Sequence, residues 1–264
     1  MYDFKYERAE SVDQAVKMIQ DGGQLLAGGQ TLLASMKQRL TQPEALIDLG
    51  HMSELTGIKQ EGSNFVIGAM TRHQDVAKHA GIQQHIPGLA HLAGGIGDKQ
   101  IRAMGTIGGS LANNDPAACY PSAVMALDAT IHTNTRAIKA DDYFLGMFST
   151  ALEPDEVITA VSFPIPKKSA YAKFKQPASR YALVGVFVAQ TEQGVRVAVT
   201  GAGDGVFRHA ELEQALNTSF TAAAVDNIKV DASELSSDLH ASAAYRASLI
   251  VTQTQRAVDA ALAA

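Results

Sequence analysis

Ala93-Gly94-Gly95-Ile96-Gly97-Asp98-Lys99-Gln100-Ile101-Arg102-Ala103-Met104-Gly105-Thr106-Ile107-Gly108-Gly109-Ser110-Leu111-Ala112-Asn113-Asn114-Asp115-Pro116-Ala117-Ala118-Cys119 is the stretch on which the rest of the sequence is organised. Six of these residues are glycine. So dense a cluster costs folding entropy, and it is expected where backbone must turn sharply or lie close to something else. An ordinary surface turn would account for the composition alone. The polar neighbours argue for more: Thr106 and Ser110 bring hydroxyls, and Asn113, Asn114 and Asp115 bring short groups that hydrogen-bond locally. Glycine amides flanked by hydroxyls form an anion-binding concavity suited to a phosphate or pyrophosphate.

The chain has 264 residues, enough for two or three subdomains. Apolar residues make up 46% of it and the net charge is −5, with Lys and Arg scattered. That argues against nucleic acid or an anionic membrane as the main partner. The opening residues Met1 to Arg8 are charged and lack an apolar core, so no secretory signal is expected. The longest apolar run, Leu183 to Ala189, is far too short for a membrane span. The single cysteine, Cys119, allows no internal disulfide and no all-cysteine iron–sulfur site, and a cytoplasmic setting is expected. The eight histidines show no metal-ligand spacing, and no metal site is expected.

Outward from the central stretch, Ser11-Val12-Asp13-Gln14 has the form of a capping box, and Val12, Val16 and Ile19 follow at helical spacing up to Gly22-Gly23. Gln24 to Ala27 reads as a short strand, Gly28-Gly29-Gln30-Thr31 as a tight loop and Leu32 to Leu40 as a helix. That order aims free amides at whatever sits at the helix start. It matches neither a Walker A loop nor G-x-G-x-x-G. Ala45–Leu49 and Phe65–Ala69 read as strands, Thr71-Arg72-His73-Gln74 as a second capping box, and Pro87 to Leu92 as a helix. After the glycine stretch, which reads as loop, Pro121–Leu127 is expected to be helical, with strands at Thr130–Thr133 and Glu156–Phe163. A turn-prone connection around Pro164 to Ser169 marks a boundary. Beyond it, Tyr171–Lys175, Leu183–Gln190 and Gly194–Thr200 read as strands, and His209–Leu216, Ala222–Ile228 and His240–Ala263 as helices. In the last helix Ala243, Ala247, Ile250, Val251, Val258 and Leu262 form an apolar stripe, with Arg246, Gln253 and Asp259 outside it.

Together the two glycine loops resemble a known family. Ala27-Gly28-Gly29-Gln30-Thr31 with Leu32-Leu33 and Met36-Lys37, then Ile96-Gly97-Asp98 through Gly105-Thr106-Ile107-Gly108-Gly109-Ser110 and Asn114-Asp115-Pro116-Ala117-Ala118, look like the FAD-binding medium subunit of the molybdenum hydroxylases, the family of xanthine dehydrogenase and aerobic carbon monoxide dehydrogenase flavoproteins. Ile67-Gly68-Ala69-Met70-Thr71, the Glu156-Val157-Ile158 strand start and the Tyr171 to Val186 segment extend the likeness over nearly the whole chain. The resemblance implies an α+β fold: a two-subdomain FAD-binding domain of the vanillyl-alcohol-oxidase (PCMH) type, residues 1–53 and 54–166, followed by a small α+β domain, residues 167–264.

Carried over position by position, it implies that Leu26, Ala27, Gly28, Gly29, Gln30 and Thr31 wrap the FAD pyrophosphate and that Thr106, Gly108, Gly109 and Ser110 close on it. Ile96 would lie near the flavin rings, Ile158 near the adenosine, and Lys173 and Tyr181 at the flavin side of the cleft. Where the family usually has aspartate this chain has Cys119, which leaves Asn114 and Asp115 as the nearby acceptors for a ribityl or ribose hydroxyl. Gln176-Pro177 and Arg180 stand where an arginine pair and an aspartate are common. The implied role is an oxidoreductase subunit that passes electrons from two [2Fe-2S] clusters of a small partner through FAD to NAD⁺, oxygen, a quinone or another acceptor. The molybdopterin cofactor would sit in a large partner subunit, within a dimer of heterotrimers. A stand-alone flavin oxidase on the same fold, and a nucleotide-binding assembly module without FAD, are the rival readings. No side-chain acid, base or nucleophile is expected, because the chemistry would be the flavin's.

Overall fold

The Ser11 hydroxyl accepts the Gln14 amide at 3.2 Å, and this cap starts the first helix where the pattern predicts it. In the computed structural model, which describes residues 1–264, strand β1 (Lys5–Arg8), helix α1 (Val12–Gln20), β2 (Gln24–Leu26), α2 (Leu32–Lys37) and β3 (Ala45–Asp48) form one unit. Its three strands are parallel in the order β1-β3-β2. Leu46 and Ile47 of the central strand are buried. The loop 27–31 leaves the carboxyl end of β2 and enters α2, the place where open α/β sheets receive ligands.

The second unit runs through β4 (Ile58–Glu61), β5 (Asn64–Gly68), α3 (His73–Lys78), α4 (Ala80–His85), α5 (Pro87–Gly94), α6 (Lys99–Met104), α7 (Ile107–Asn113) and α8 (Tyr120–Ala126). It continues with β6 (Thr130–Thr133), β7 (Ala137–Lys139), α9 (Ala140–Tyr143), β8 (Phe144–Gly146), β9 (Ser149–Thr150) and β10 (Ile158–Pro164). Five strands make a sheet of order β4-β5-β10-β6-β7, and β8 and β9 pair as a separate hairpin. Phe65, Ile67, Ile131, Val161 and Phe163 of the sheet are buried with Leu89, Leu92, Ile107, Leu111 and Val124 of the helices.

Two expectations change here. The glycine stretch is not a loop throughout: it holds α6, capped by Asp98 accepting the Ile101 amide at 2.9 Å, and α7, capped by Thr106 accepting the Gly109 amide at 3.2 Å. The second capping box does not form either. Thr71 is buried and exchanges hydrogen bonds with Gly57, and Arg72 precedes α3 with no side-chain cap.

The third unit is the four-stranded antiparallel sheet β11 (Lys168–Lys175), β12 (Ala182–Thr191), β13 (Gly194–Thr200) and β14 (Phe207–Arg208), with α10 (Ala210–Thr218) and α11 (Ala243–Ala263). Residues 222–225 make a single 3₁₀ turn rather than the longer helix expected. The unbroken apolar run in β12 has a simple cause: both faces are covered. Val184, Val186 and Val188 pack with Ile250 and Val258 of α11, while Phe187 and Ala189 belong to the core shared with α5 and α8. Arg246 and Gln253, placed outside the apolar stripe of α11 by periodicity, are in fact buried. Arg246 donates to the Leu183 and Gly201 carbonyls at 2.8 and 2.7 Å and to Asp238 at 2.8 Å, which pairs its charge and leaves only Nε without a partner.

Candidate functional site

The loop after β2 lies against the entry to α7. A Cβ added at Gly28 would overlap the Met104 carbonyl oxygen and sit 2.7 Å from Gly105 Cα, so only glycine lets these two backbones touch. Gly29 has φ +68°, which reverses the chain into α2. At Gly108 the amide donates to the Ala69 carbonyl at 2.8 Å, and an added Cβ would come within 2.7 Å of the Ala69 Cβ. Gly109 differs: its added Cβ would meet only Thr106 Oγ1 at 3.1 Å and the Ala27 Cβ across the gap at 3.5 Å.

Between the two loops opens a cavity of about 740 Å³. Its floor has an unusual property. The backbone amides of Ala27, Gly28, Gly29, Gln30, Thr31 and Leu32 donate to no acceptor in the chain, although the Gln30 side chain folds back to the Gly28 carbonyl at 3.0 Å. Ala27, Gly28, Gly29 and Leu32 are half-buried, where backbone donors are nearly always paired, while Gln30 and Thr31 are exposed. Consecutive free amides on a concave surface, with the Thr31 and Ser110 hydroxyls beside them, present partial positive charge toward an anion.

Fifteen of the residues that the sequence singles out line this cavity: Ala27, Gly28, Gly29, Gln30, Thr31, Ile96, Thr106, Gly108, Gly109, Ser110, Asp115, Cys119, Ile158, Lys173 and Tyr181. Two do not. The Leu26 side chain is buried with Met36 and Leu46, beneath the loop rather than in it. Asn114 is buried as the left-handed cap of α7, and its amide donates to the Gly146 and Ser149 carbonyls at 2.8 Å each. Its amide nitrogen thereby fixes the β8–β9 hairpin, while its Oδ1, buried with no partner, belongs to a residue outside the cavity lining.

Lys173 and Cys119 meet at one wall. The Lys173 ammonium donates to the Gly95 carbonyl at 2.8 Å, the Arg180 carbonyl at 3.1 Å and Cys119 Sγ at 3.3 Å. A strand of the third unit is thereby tied to the glycine stretch of the second. Burial, and then the Asp115 carboxylate, push the Tyr181 hydroxyl above its ordinary value.

The structure adds lining residues that the sequence reading passed over, His73, Glu153, Glu156 and Ser179 among them, and it places Arg180, noted in the sequence only as a departure from the family pattern, in the lining as well. His73 is 5% exposed, its Nδ1 has no partner, and burial, helped by the charge of Arg102, lowers its pKa to about 4. It is a neutral imidazole at neutral pH. Glu156 accepts from Arg136 at 2.8 Å through both oxygens, from Thr133 and Thr135, and from the Glu153 amide. Those bonds, that of Arg136 foremost, hold its carboxyl well below the usual carboxylate range. The signal for His73 was its position two residues after the Ile67 to Thr71 run. Glu156 stood at the start of an expected strand, but nothing local announced Arg136 as its partner.

A family profile described as the FAD binding domain in molybdopterin dehydrogenase matches residues 2–166. The chain is 34% identical to the glyceraldehyde dehydrogenase medium chain of Sulfolobus acidocaldarius, over 93% of this chain and 92% of that one. It is also 34% identical to the carbon monoxide dehydrogenase medium chain of Hydrogenophaga pseudoflava, over 98% and 97%. Among solved structures, a chain of carbon monoxide dehydrogenase from Hydrogenophaga pseudoflava lacking the Mo-pyranopterin moiety superposes with a TM-score of 0.90 at 33% identity, covering 99% of this chain and 98% of that one.

Proposed function

The chain belongs to the FAD-binding medium subunits of the molybdenum hydroxylases, and from that premise we propose that its two loops hold FAD and that it relays electrons from an iron–sulfur partner to an external acceptor. The observation that carries the placement is the run of free amides from Ala27 to Leu32 facing Gly109. A pyrophosphate supplies the acceptors those amides lack, and the missing Cβ at Gly109 leaves it room. The residues present thus fit the group.

The Thr31 and Ser110 hydroxyls add donors on either side of the pyrophosphate. Leu152, Pro154, Val157 and Ile158 give one part of the cavity apolar contacts that suit the adenosine, with Glu153 and Glu156 beside them. At the other end Ile96, Asp115, Cys119, Lys173 and Tyr181 face the flavin half. FAD, when bound, supplies the redox chemistry, taking up and releasing electrons one or two at a time. The protein's part is to position it, to exclude water and to set the charge around it. Here Lys173 is held near the rings by two carbonyls and a thiol rather than by a carboxylate. Cys119 replaces a charged acceptor with a weak one, so Asp115 remains as the hydroxyl acceptor, while Asn114 is engaged with the hairpin.

The proposal further divides the chain at 1–53, 54–166 and 167–264, with the first two units sandwiching FAD and the third closing its flavin end. Its partners are a small subunit with two [2Fe-2S] clusters and a large molybdopterin subunit, in a dimer of heterotrimers. No helix is long and apolar enough to cross a membrane, and a cytoplasmic setting is proposed. Purification from native cells at low salt tests the reading. Flavin, iron and molybdenum arriving with two further polypeptides support it. Flavin alone with turnover of small substrates would replace it by a stand-alone oxidase, and a chain that takes up no FAD by a non-redox module.

A further inference from the structure

Tyr171 and Lys173 stand two residues apart on β11, so they point to the same face of its sheet. The strand pairing continues the row: Lys173 lies opposite Gly185 of β12, and Gly185 opposite Thr200 of β13. The Tyr171 hydroxyl fills the space that Gly185 leaves open. A Cβ added there would overlap it and stand 3.0 Å from Thr200 Oγ1. Tyr171 is 4% exposed and Thr200 fully buried, yet neither hydroxyl has a hydrogen-bond partner. A buried donor left unpaired is costly, and the great majority of such groups are paired.

The same row meets the sulfur of Cys119, which is 6% exposed at the wall of the main cavity. The Lys173 ammonium donates to it at 3.3 Å. Burial first, and then the neighbouring Cys119, push the Tyr171 hydroxyl well above its ordinary value, which keeps it a protonated donor. Sulfur is a weak acceptor. An ammonium and a phenol thus converge on an atom that satisfies them poorly, and an oxygen carried by that sulfur would accept from both.

We propose that Cys119 is a site of reversible oxidation, and that Lys173 and Tyr171 hold the oxygen of its sulfenic acid. The oxidant is a hydroperoxide that reaches the sulfur through the cavity. With hydrogen peroxide the S–O bond forms as the O–O bond breaks, and sulfur gives up two electrons. The second oxygen leaves as hydroxide and takes the thiol proton to become water. Two equivalents of a thiol reductant reverse the change, releasing water and a disulfide. The wall thereby gains an oxygen acceptor at the flavin end of the cavity. That consequence for the cofactor rests on the function proposed above; the oxidation itself does not.

The test treats the full chain, free of FAD, with equimolar hydrogen peroxide, removes the excess with catalase and adds dimedone at intervals. Cys119 is the only cysteine, so every dimedone adduct reports on it. Wild type should form an adduct at residue 119 that prior treatment with dithiothreitol abolishes. Tyr171→Phe keeps the ring and removes a hydroxyl that has no partner, so the reduced variant should melt no lower than wild type. Its sulfenic acid should nevertheless decay about tenfold faster, and that of Lys173→Met faster than wild type as well. Absence of an adduct in wild type would overturn the proposal, as would oxidation that dithiothreitol does not reverse or a disulfide between two chains. So would equal lifetimes in wild type and Tyr171→Phe. Titration with FAD should then show tighter binding to the oxidised chain than to the reduced one. A chain that takes up no FAD in either state would refute the function proposed above, while the dimedone result still decides the oxidation site.

Discussion

Replacing Gly109 by alanine adds one methyl in the first turn of α7, and the structure predicts little effect on folding but a large loss of ligand binding. In the protein alone the methyl meets Thr106 Oγ1 at 3.1 Å and the Ala27 Cβ at 3.5 Å, contacts that need an adjustment of a few tenths of an ångström. Alanine gains up to about 1 kcal/mol over glycine in a helix, and the tight contact offsets part of this. FAD-free stability should therefore stay within about 1 kcal/mol of wild type, or about 3 °C in Tm. The same methyl stands in the gap where a pyrophosphate must reach the free amides of residues 27–32. Loss of one charge-assisted hydrogen bond, at about 1.5–3 kcal/mol, weakens FAD binding by roughly 10- to 150-fold. Gly28→Ala is the control. Its methyl overlaps backbone on both sides, so the loops separate and the FAD-free protein itself loses about 1–3 kcal/mol. Denaturation of deflavinated protein and titration with FAD read both quantities. If Gly109→Ala binds FAD within threefold of wild type, or melts as early as Gly28→Ala, the placement of the pyrophosphate is wrong.

Three further outcomes follow from the same geometry. His73 has a folded pKa near 4 against an ordinary value of 6.5, so the unfolded chain binds the extra proton first; the stability of the FAD-free protein should fall by about 2 kcal/mol between pH 7 and pH 5, and urea titrations of His73→Phe should lack that decline. Glu156, its pKa depressed chiefly by Arg136, contributes stability that is present above the unfolded carboxylate range and is lost as pH drops below it. Glu156→Gln should lower stability by about 2 kcal/mol at pH 7, and a neutral result in thermal melts would show that the Thr133 and Thr135 hydroxyls suffice. Cys119→Asp places a carboxylate against the Lys173 ammonium and restores a charged acceptor, so FAD should bind up to about tenfold tighter; calorimetry showing weaker binding would contradict the role given to that wall.

How far the sequence could be read depended on whether the cause of each feature was local. Ser11 and Gln14 lie three residues apart, and their cap forms as written. The Thr71–Gln74 pattern looks the same, yet Thr71 answers to Gly57, fourteen residues away. Glycine density hid α6 and α7, because Asp98 and Thr106 caps outweigh the low helix propensity of Gly108 and Gly109. Arg246 broke the stripe of α11 because a polar residue that finds carbonyls of another strand can be buried, which periodicity does not register; nothing in the structure explains the burial of Gln253, whose Nε2 has no partner. Most of the cavity lining was legible for the opposite reason, since glycine loops followed by helices carry their chemistry in their own backbone. His73, Glu156 and Arg180 join the cavity only through tertiary packing.

The glycines of the central stretch and of the first loop thus divide by what occupies the space of their absent side chains. At Gly28 that space is filled by the backbone of Met104 and Gly105, so this residue brings the two loops together, and at Gly108 it is filled by Ala69, which seats α7 on the end of β5. At Gly109 it opens on the gap, and that opening faces amides with no partner of their own. The loop-to-loop contact makes the cavity, and the remaining glycine leaves it accessible from one side. Because the contact joins the first unit to the second, binding at the gap must stabilise their relative position. Lys173, bonded from the third unit to Gly95 and Cys119, extends the same coupling to the flavin end. FAD should therefore protect all three units from unfolding together, and a proteolysis experiment in which FAD shielded only residues 1–166 would break that link.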